Sequence, residues 1–397
     1  MSLGNLALSG ARAANPKKVG NKPVADIIEF CEASWGLGMQ LFPVQKVILK
    51  AHYGIALDDT VKFEVTDWRR QNSQWFTEKE YLEYAFREGR SNIKEVIPGV
   101  ERREMVLSIG RRSGKTTISA CIAAYETYKL ISKGDPQDYY GLPQSNMIQL
   151  ISVATDKDQA GLLYQEVSGH FRNCAFFSPY TANNTMSYAR FQTPKDIDKY
   201  GAYADDPSAK ATIKVTFRSC VAKGLRGAGN ILVILDEVAH FTDKGQSSAD
   251  SVYNAVTPST SAYSPKDPKD RRKPIGQVEG RIILISSPLG RQGLFYKLFQ
   301  IGMAGGAAAS NMLCVQAPTW EVNPTIPAHE FEKHYLKDPV VFFTEYGGEF
   351  SDRTRGWIER GEDLEACIDT TAKPQQRGLP RQTYFMGLDL GLVGDGT

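Results

Sequence analysis

The chain has few of the residues that would build a metal centre or a disulfide scaffold. Its six cysteines, Cys31, Cys121, Cys174, Cys220, Cys314 and Cys367, are scattered without a C-x-x-C pair. That argues against a zinc site and a disulfide framework and leaves reduced thiols. Histidine is sparse, and His329 and His334 are five apart, off the spacing that sets two ligands on one helical face. Both read as surface residues. No apolar run reaches the length of a membrane span, and the N-terminal segment lacks the apolar core of a signal peptide. Excess charge is missing as well. With a net charge of +2, any nucleic-acid surface must be a local patch rather than a field around the whole molecule.

What remains is 42% hydrophobic and 23% charged over 397 residues, the balance of a soluble globular protein longer than one ordinary domain. Residues 1–24, with Arg12, Lys17, Lys18 and Lys22 among Gly, Ala and Asn, read as a flexible basic arm. Aromatic and charged segments follow to about residue 100, and the region from Trp68 to Arg90 reads as helical. Beyond it, candidate strands at 105–109, 147–153, 212–217, 231–235, 281–286 and 312–316 alternate with helical or loop material. Such alternation predicts an α/β fold, a mostly parallel sheet with helices on both faces.

The chemistry concentrates in two segments. Met105 to Ile109 is a strand signal, Gly110-Arg111-Arg112-Ser113-Gly114-Lys115-Thr116-Thr117 is a glycine loop, and an Ala-rich helical stretch follows. In a phosphate-binding loop, glycines let backbone N–H groups turn toward phosphate oxygens, Lys115 reaches the β- and γ-phosphates, and the Thr116 hydroxyl ligates Mg²⁺. The usual G-x-x-x-x-G-K-[ST] spacing would put the first glycine at 109, where the chain has Ile109, so Gly110 comes one residue late. The second segment is Ile231 to Leu235, an unbroken aliphatic run ending in Asp236-Glu237. Such a run is the pattern of a strand buried on both faces. Asp236 would hold the Mg²⁺ hydration shell, and Glu237 would orient and deprotonate the water that attacks the γ-phosphate. Together they imply a P-loop ATPase.

In its ordering of motifs the chain resembles the large terminase subunit of tailed bacteriophages, the ATPase that pumps DNA into procapsids. The Gly110 to Thr116 loop, with its internal arginines and displaced glycine, resembles that family's variant phosphate loop. Leu41-Phe42-Pro43-Val44-Gln45 resembles its adenine-recognition segment, in which the Gln45 amide would read the base, although a simple helix cap would use the same residues. Ser152 to Ala160 is similar to a strand-to-helix motif of terminases and helicase-like translocases. Gly224-Leu225-Arg226-Gly227 resembles the segment whose arginine reaches a neighbouring subunit's ATP, so Arg226 is the trans candidate and Arg111 the in-loop candidate for stabilising transition-state charge. Ile283 to Pro288 resembles the coupling motif, with Ser286 and Ser287 as its sensing hydroxyls; a plain strand-ending turn is the competing view. Thr319 to Pro324 and Glu345 to Phe350 look like the lid and linker.

The resemblance covers most of residues 35–355 and implies a RecA/ASCE-like ATPase core at 25–305 and a small lid/linker subdomain at 306–383. Residues 384–397, with Asp389 and Asp395, resemble the first strand of an RNase H-like nuclease, whose acidic residues hold two divalent metal ions. One strand cannot form that domain, so this chain reads as the ATPase portion of a longer protein that also carries an endonuclease. Also implied are double-stranded DNA, a portal protein and a small terminase subunit as partners, a homo-oligomeric ring, and work in the host cytoplasm on the procapsid rather than residence in the virion. For DNA contact the candidates are the loop of Lys266, Lys269, Arg271, Arg272 and Lys273, and Lys210 and Lys214 beside a strand. Alternative readings are a helicase or remodelling translocase, which would need a second RecA-like domain, and a nucleotide-gated assembly subunit, against which Glu237 argues.

Overall fold

The computed structural model describes residues 24–67, 72–202, 210–220, 225, 229–242, 245, 247–326, 328–351, 366–368, 381 and 383. The chain separates into two compact units, Met1–Asp352 and Arg353–Thr397. The elements named here all belong to the first. In chain order its strands are β1 (Phe63–Asp67), β2 (Asn72–Phe76), β3 (Glu104–Ile109), β4 (Ile148–Ala154), β5 (Thr181–Asn184), β6 (Tyr188–Phe191), β7 (Ile213–Ser219), β8 (Asn230–Asp236), β9 (Arg281–Ser286) and β10 (Met312–Ala317). Among the described residues, β1 and β2 form a small antiparallel pair, and the other eight strands form one sheet in the order β10-β3-β9-β8-β4-β7-β6-β5. All neighbours from β10 to β7 are parallel, and β6 and β5 extend the edge antiparallel.

The parallel part follows from its aliphatic runs. In β8 every residue from Ile231 to Leu235 is buried, and alternation sends successive side chains to opposite faces. Leu232 and Ile234 join Leu107, Ile109, Ile283 and Ile285 in one core, under the helices Lys115–Ser132 and Lys157–Asn173. Val233 and Leu235 join Val106, Ile151, Val153 and Leu284 in the other, under the helices Ala249–Thr260 and Gly293–Ala304. The sheet is therefore covered on both faces through its centre, as parallel sheets are.

The region 68–90 departs from the helical expectation. Asn72–Phe76 is a strand, paired residue for residue with Phe63–Asp67, and the helix is confined to Glu78–Arg87. Its start is set by a capping box: the Thr77 side chain accepts from the Glu80 N–H while the Glu80 carboxylate accepts from the Thr77 N–H. That Thr-x-x-Glu pattern was the available signal. The antiparallel extension β5–β6 left no comparable run of apolar residues in the sequence.

Candidate functional site

Because strands β10 to β7 are parallel, their carboxyl ends gather at one edge, where ligands bind in open α/β sheets. That edge carries the loop Gly110–Gly114 after β3, Asp236-Glu237 at the end of β8, Ser286-Ser287 at the end of β9 and Thr155 after β4. Strand order decides the chemistry, since β9 lies between β3 and β8. The two serines therefore stand between the loop lysine and the acidic pair.

The contacts follow that order. Lys115 Nζ donates to Ser287 Oγ at 2.8 Å and to the Gly110 carbonyl at 3.4 Å, and lies 3.3 Å from Glu237 Oε1. The other carboxylate oxygen, Glu237 Oε2, accepts from Ser286 Oγ at 3.1 Å and from the Ser287 N–H at 3.2 Å. Glu237 adopts the left-handed conformation, with φ 51° and ψ 40°, which is rare for a residue with a long side chain and clusters at functional positions. It turns the chain out of β8 into the short 3-10 turn Val238–His240.

A cleft of about 770 Å³ opens over the loop, lined by the expected Arg111, Arg112, Gly114, Lys115, Thr116, Thr117 and Glu237. Thr155, Gln159, His240 and Asn323 line it as well, and sequence reasoning had given them no role. Thr155 and Gln159 fall inside the Ser152–Ala160 stretch, and Thr155 Oγ1 donates to Gln159 Oε1 at 2.6 Å. His240 is one turn beyond Glu237, its Nε2 3.9 Å from Oε2. Ser113 lies beneath the loop, donating to the Gly110 carbonyl at 2.7 Å.

Gln45 makes the helix-cap contact that its segment also allowed. It is buried, its Oε1 accepts from the Phe42 N–H at 3.1 Å as a cap of the helix Pro43–Tyr53, and it is not among the cleft-lining residues. A Cβ added at Gly114 would stand 3.0 Å from its Nε2, so Gln45 packs behind the loop. Gly114 itself has φ +88°, the left-handed region that favours glycine.

Gly110 has a packing reason for its displaced position. A Cβ there would lie 2.1 Å from the Tyr346 carbonyl oxygen and 2.3 Å from Thr319 Oγ1. Two segments, Thr319–Asn323 and Glu345–Tyr346, grip the loop at this point. Thr319 Oγ1 donates to the Arg111 carbonyl at 2.8 Å, Asn323 Nδ2 to the Arg112 carbonyl at 2.9 Å, and the Arg111 N–H to the Glu345 carbonyl at 2.7 Å. The Arg111 guanidinium pairs with the Glu345 carboxylate.

The residues present fit a hard divalent cation. Asp236 is buried, and its carboxyl is pushed up to about 6, first by desolvation and then by the charge of Glu237, with Lys115 pulling the other way. A buried carboxylate short of positive charge, next to Glu237, suits an ion that takes one or two protein ligands and completes its shell with phosphate oxygens and water, as Mg²⁺ does. No cluster of three or more His, Cys, Asp or Glu residues able to hold a metal occurs among the described residues. Arg226, Asp389 and Asp395 lie outside the described residues.

This geometry defines a P-loop nucleotide-binding protein with the α/β sheet of the NTPases. The chain belongs to the family described as "Uncharacterized protein MJ0330, N-terminal P-loop domain", which it matches over residues 5–347. No curated protein matches it. Among solved structures, it is similar to the large terminase ATPase domain of Thermus phage P74-26, with 22% identity, coverage of 63% of this chain and 90% of that one, and a TM-score of 0.43. It is also similar to the large terminase of bacteriophage HK97, at 14% identity, 78% and 56% coverage and a TM-score of 0.42.

Proposed function

We propose that the chain hydrolyses ATP and that the hydrolysis drives double-stranded DNA into a procapsid, as in the terminase family that its motif order resembles. The observation that carries the ATPase reading is the contact of Lys115 with both Ser287 and Glu237, made by residues from the ends of three adjacent strands. Lys115 lies against Glu237, the residue we assign as general base. Phosphate binding draws Lys115 onto the β- and γ-oxygens and leaves Glu237 Oε1 open to water. Ser286 Oγ and the Ser287 N–H keep hold of Oε2, so the carboxylate stays oriented. Water then attacks the γ-phosphorus, its proton passes to Glu237, and the bond to the bridging oxygen breaks to leave ADP and phosphate. Thr116 and Asp236 would hold Mg²⁺, which when bound neutralises charge on the phosphate oxygens.

The departure of Lys115 from Ser287 also changes what the end of β9 touches, which is the coupling role we assign to Ser286 and Ser287. Arg111 and a trans-acting Arg226 assist the transition state, Arg226 from a neighbouring subunit of a ring. Asp389 contributes to a two-metal nuclease, and portal and small terminase subunit dock the motor on the procapsid in the host cytoplasm. Glu237→Gln should lower turnover roughly a hundred- to ten-thousand-fold, the range for a general base, while ATP binding is retained. Unchanged turnover would remove Glu237 as the base.

A further inference from the structure

In the phosphate loop the carbonyls are held and the N–H groups are not. The Gly110 carbonyl accepts from Ser113 Oγ at 2.7 Å and from Lys115 Nζ at 3.4 Å, the Arg111 carbonyl from Thr319 Oγ1 at 2.8 Å, and the Arg112 carbonyl from Asn323 Nδ2 at 2.9 Å. None of the N–H groups of Arg112, Ser113 and Gly114 meets an acceptor at hydrogen-bonding distance and angle among the described residues. A trans peptide is planar, with its N–H opposite its C=O. Whatever pins a carbonyl therefore aims the next N–H, and Asn323 aims that of Ser113.

Arg112 is where the loop is strained. Its φ is 63°, one of three positive values outside glycine among the described residues, with Glu237 and Arg381. Gly114 has φ +88°, and Ser113 between them is not in that region. Left-handed residues interleaved with ordinary ones curl successive N–H groups into a concavity that binds anions. Glycine takes that shape freely, but a residue with a Cβ must be held there. Asn323 is built to hold it. Its Oδ1 accepts from Thr325 Oγ1 at 2.6 Å and from the Thr325 N–H at 3.3 Å, which leaves Nδ2 turned to the loop. Its own N–H donates to the Thr319 carbonyl at 2.8 Å, so the two residues that hold the Arg111 and Arg112 carbonyls are tied to each other.

We propose that Asn323 is a positioning residue for nucleotide: it keeps Arg112 left-handed and so keeps the Ser113 N–H on the phosphate side of the loop. The assignment rests on the ATPase reading and adds what maintains the loop in its phosphate-binding shape. Asn323 also lines the cleft, so the experiment must separate action through Arg112 from direct contact with the nucleotide.

The test is a double-mutant cycle on the affinity of the purified chain for Mg·ADP, measured by calorimetric titration. Asn323→Ala should weaken binding about fivefold, within the range for one lost hydrogen bond. In an Arg112→Gly background the same change should cost less than about twofold, because glycine adopts the left-handed conformation unaided. The ratio of the two factors is the coupling between the residues. Thr325 is exposed, and Thr325→Val, which frees the Asn323 amide without opening a core, should weaken binding about twofold beside Arg112 and not beside glycine. Equal factors for Asn323→Ala in both backgrounds overturn the proposal by placing Asn323 on the nucleotide itself. Unchanged affinity in Asn323→Ala overturns it too, and either result leaves the ATPase reading standing. A wild-type chain that neither binds Mg·ADP nor hydrolyses ATP removes that reading as well.

Discussion

Lys115 and Glu237 are each other's partners, Nζ lying 3.3 Å from Oε1. This is a consequence of distance and charge: an ammonium 3.3 Å from a carboxylate, both largely out of solvent, stays paired until a stronger anion arrives. A second buried residue gives the chain a pH limit. His52 is fully buried, neither ring nitrogen has a hydrogen-bond partner, and its imidazole is held well below its usual range by desolvation first, then by Arg281, Lys129 and Arg102. A histidine kept neutral in the fold but free to protonate when unfolded contributes stability that is complete above about 6.5 and is lost as pH falls. Melting temperatures measured from pH 8 to 5 should fall on the acid side, and His52→Leu should flatten that limb; an unchanged limb would place the titrating group elsewhere.

At the scale of elements, the phosphate loop is a shared piece of backbone, gripped from outside by Thr319, Asn323, Glu345 and Tyr346. Gly110→Ala would drive a methyl group into the Tyr346 carbonyl and the Thr319 hydroxyl. It should cost about 1–3 kcal/mol, the usual penalty of overpacking, and weaken nucleotide binding because the loop and its clamp must part. Thermal melting and a nucleotide titration check both effects; a variant with wild-type values in both would show that the clamp is dispensable. The elements differ in how readable they were. β3, β4, β8, β9 and β10 announce themselves as largely apolar runs, because a strand buried on both faces tolerates little else, and β7 as an alternation of apolar with polar residues. β1, β2, β5 and β6 carry mixed polar sequences such as Asn72-Ser73-Gln74-Trp75-Phe76, and only pairing with a neighbour makes them strands. Gln45 illustrates the same limit within one residue. Its amide suits both a base and a helix cap, and burial beside Gly114 goes with the cap.

For the whole molecule, a chain with net charge of only +2 can still present a polyanion with a dense local field, if its cations are collected on one face. The ring we propose would add a further interface. Arg226→Ala should retain nucleotide binding and lose DNA-stimulated ATPase by roughly a thousand-fold or more, the scale of an arginine supplied in trans. Steady-state turnover with and without DNA measures it, and intact stimulation would remove Arg226 from that role.

The sequence by itself determined the presence of a phosphate loop, an acidic strand end and an alternating α/β order, because these are local: a few adjacent residues carry the whole signal. Only the tertiary structure decided that β9 enters between β3 and β8, and with it that Ser286 and Ser287 touch Lys115 and Glu237. It also decided that Gly110 serves close packing against Tyr346 and that Asn323 reaches the Arg112 carbonyl. Those facts depend on which strand lies beside which, a choice made by burial summed over the whole core rather than by any one segment.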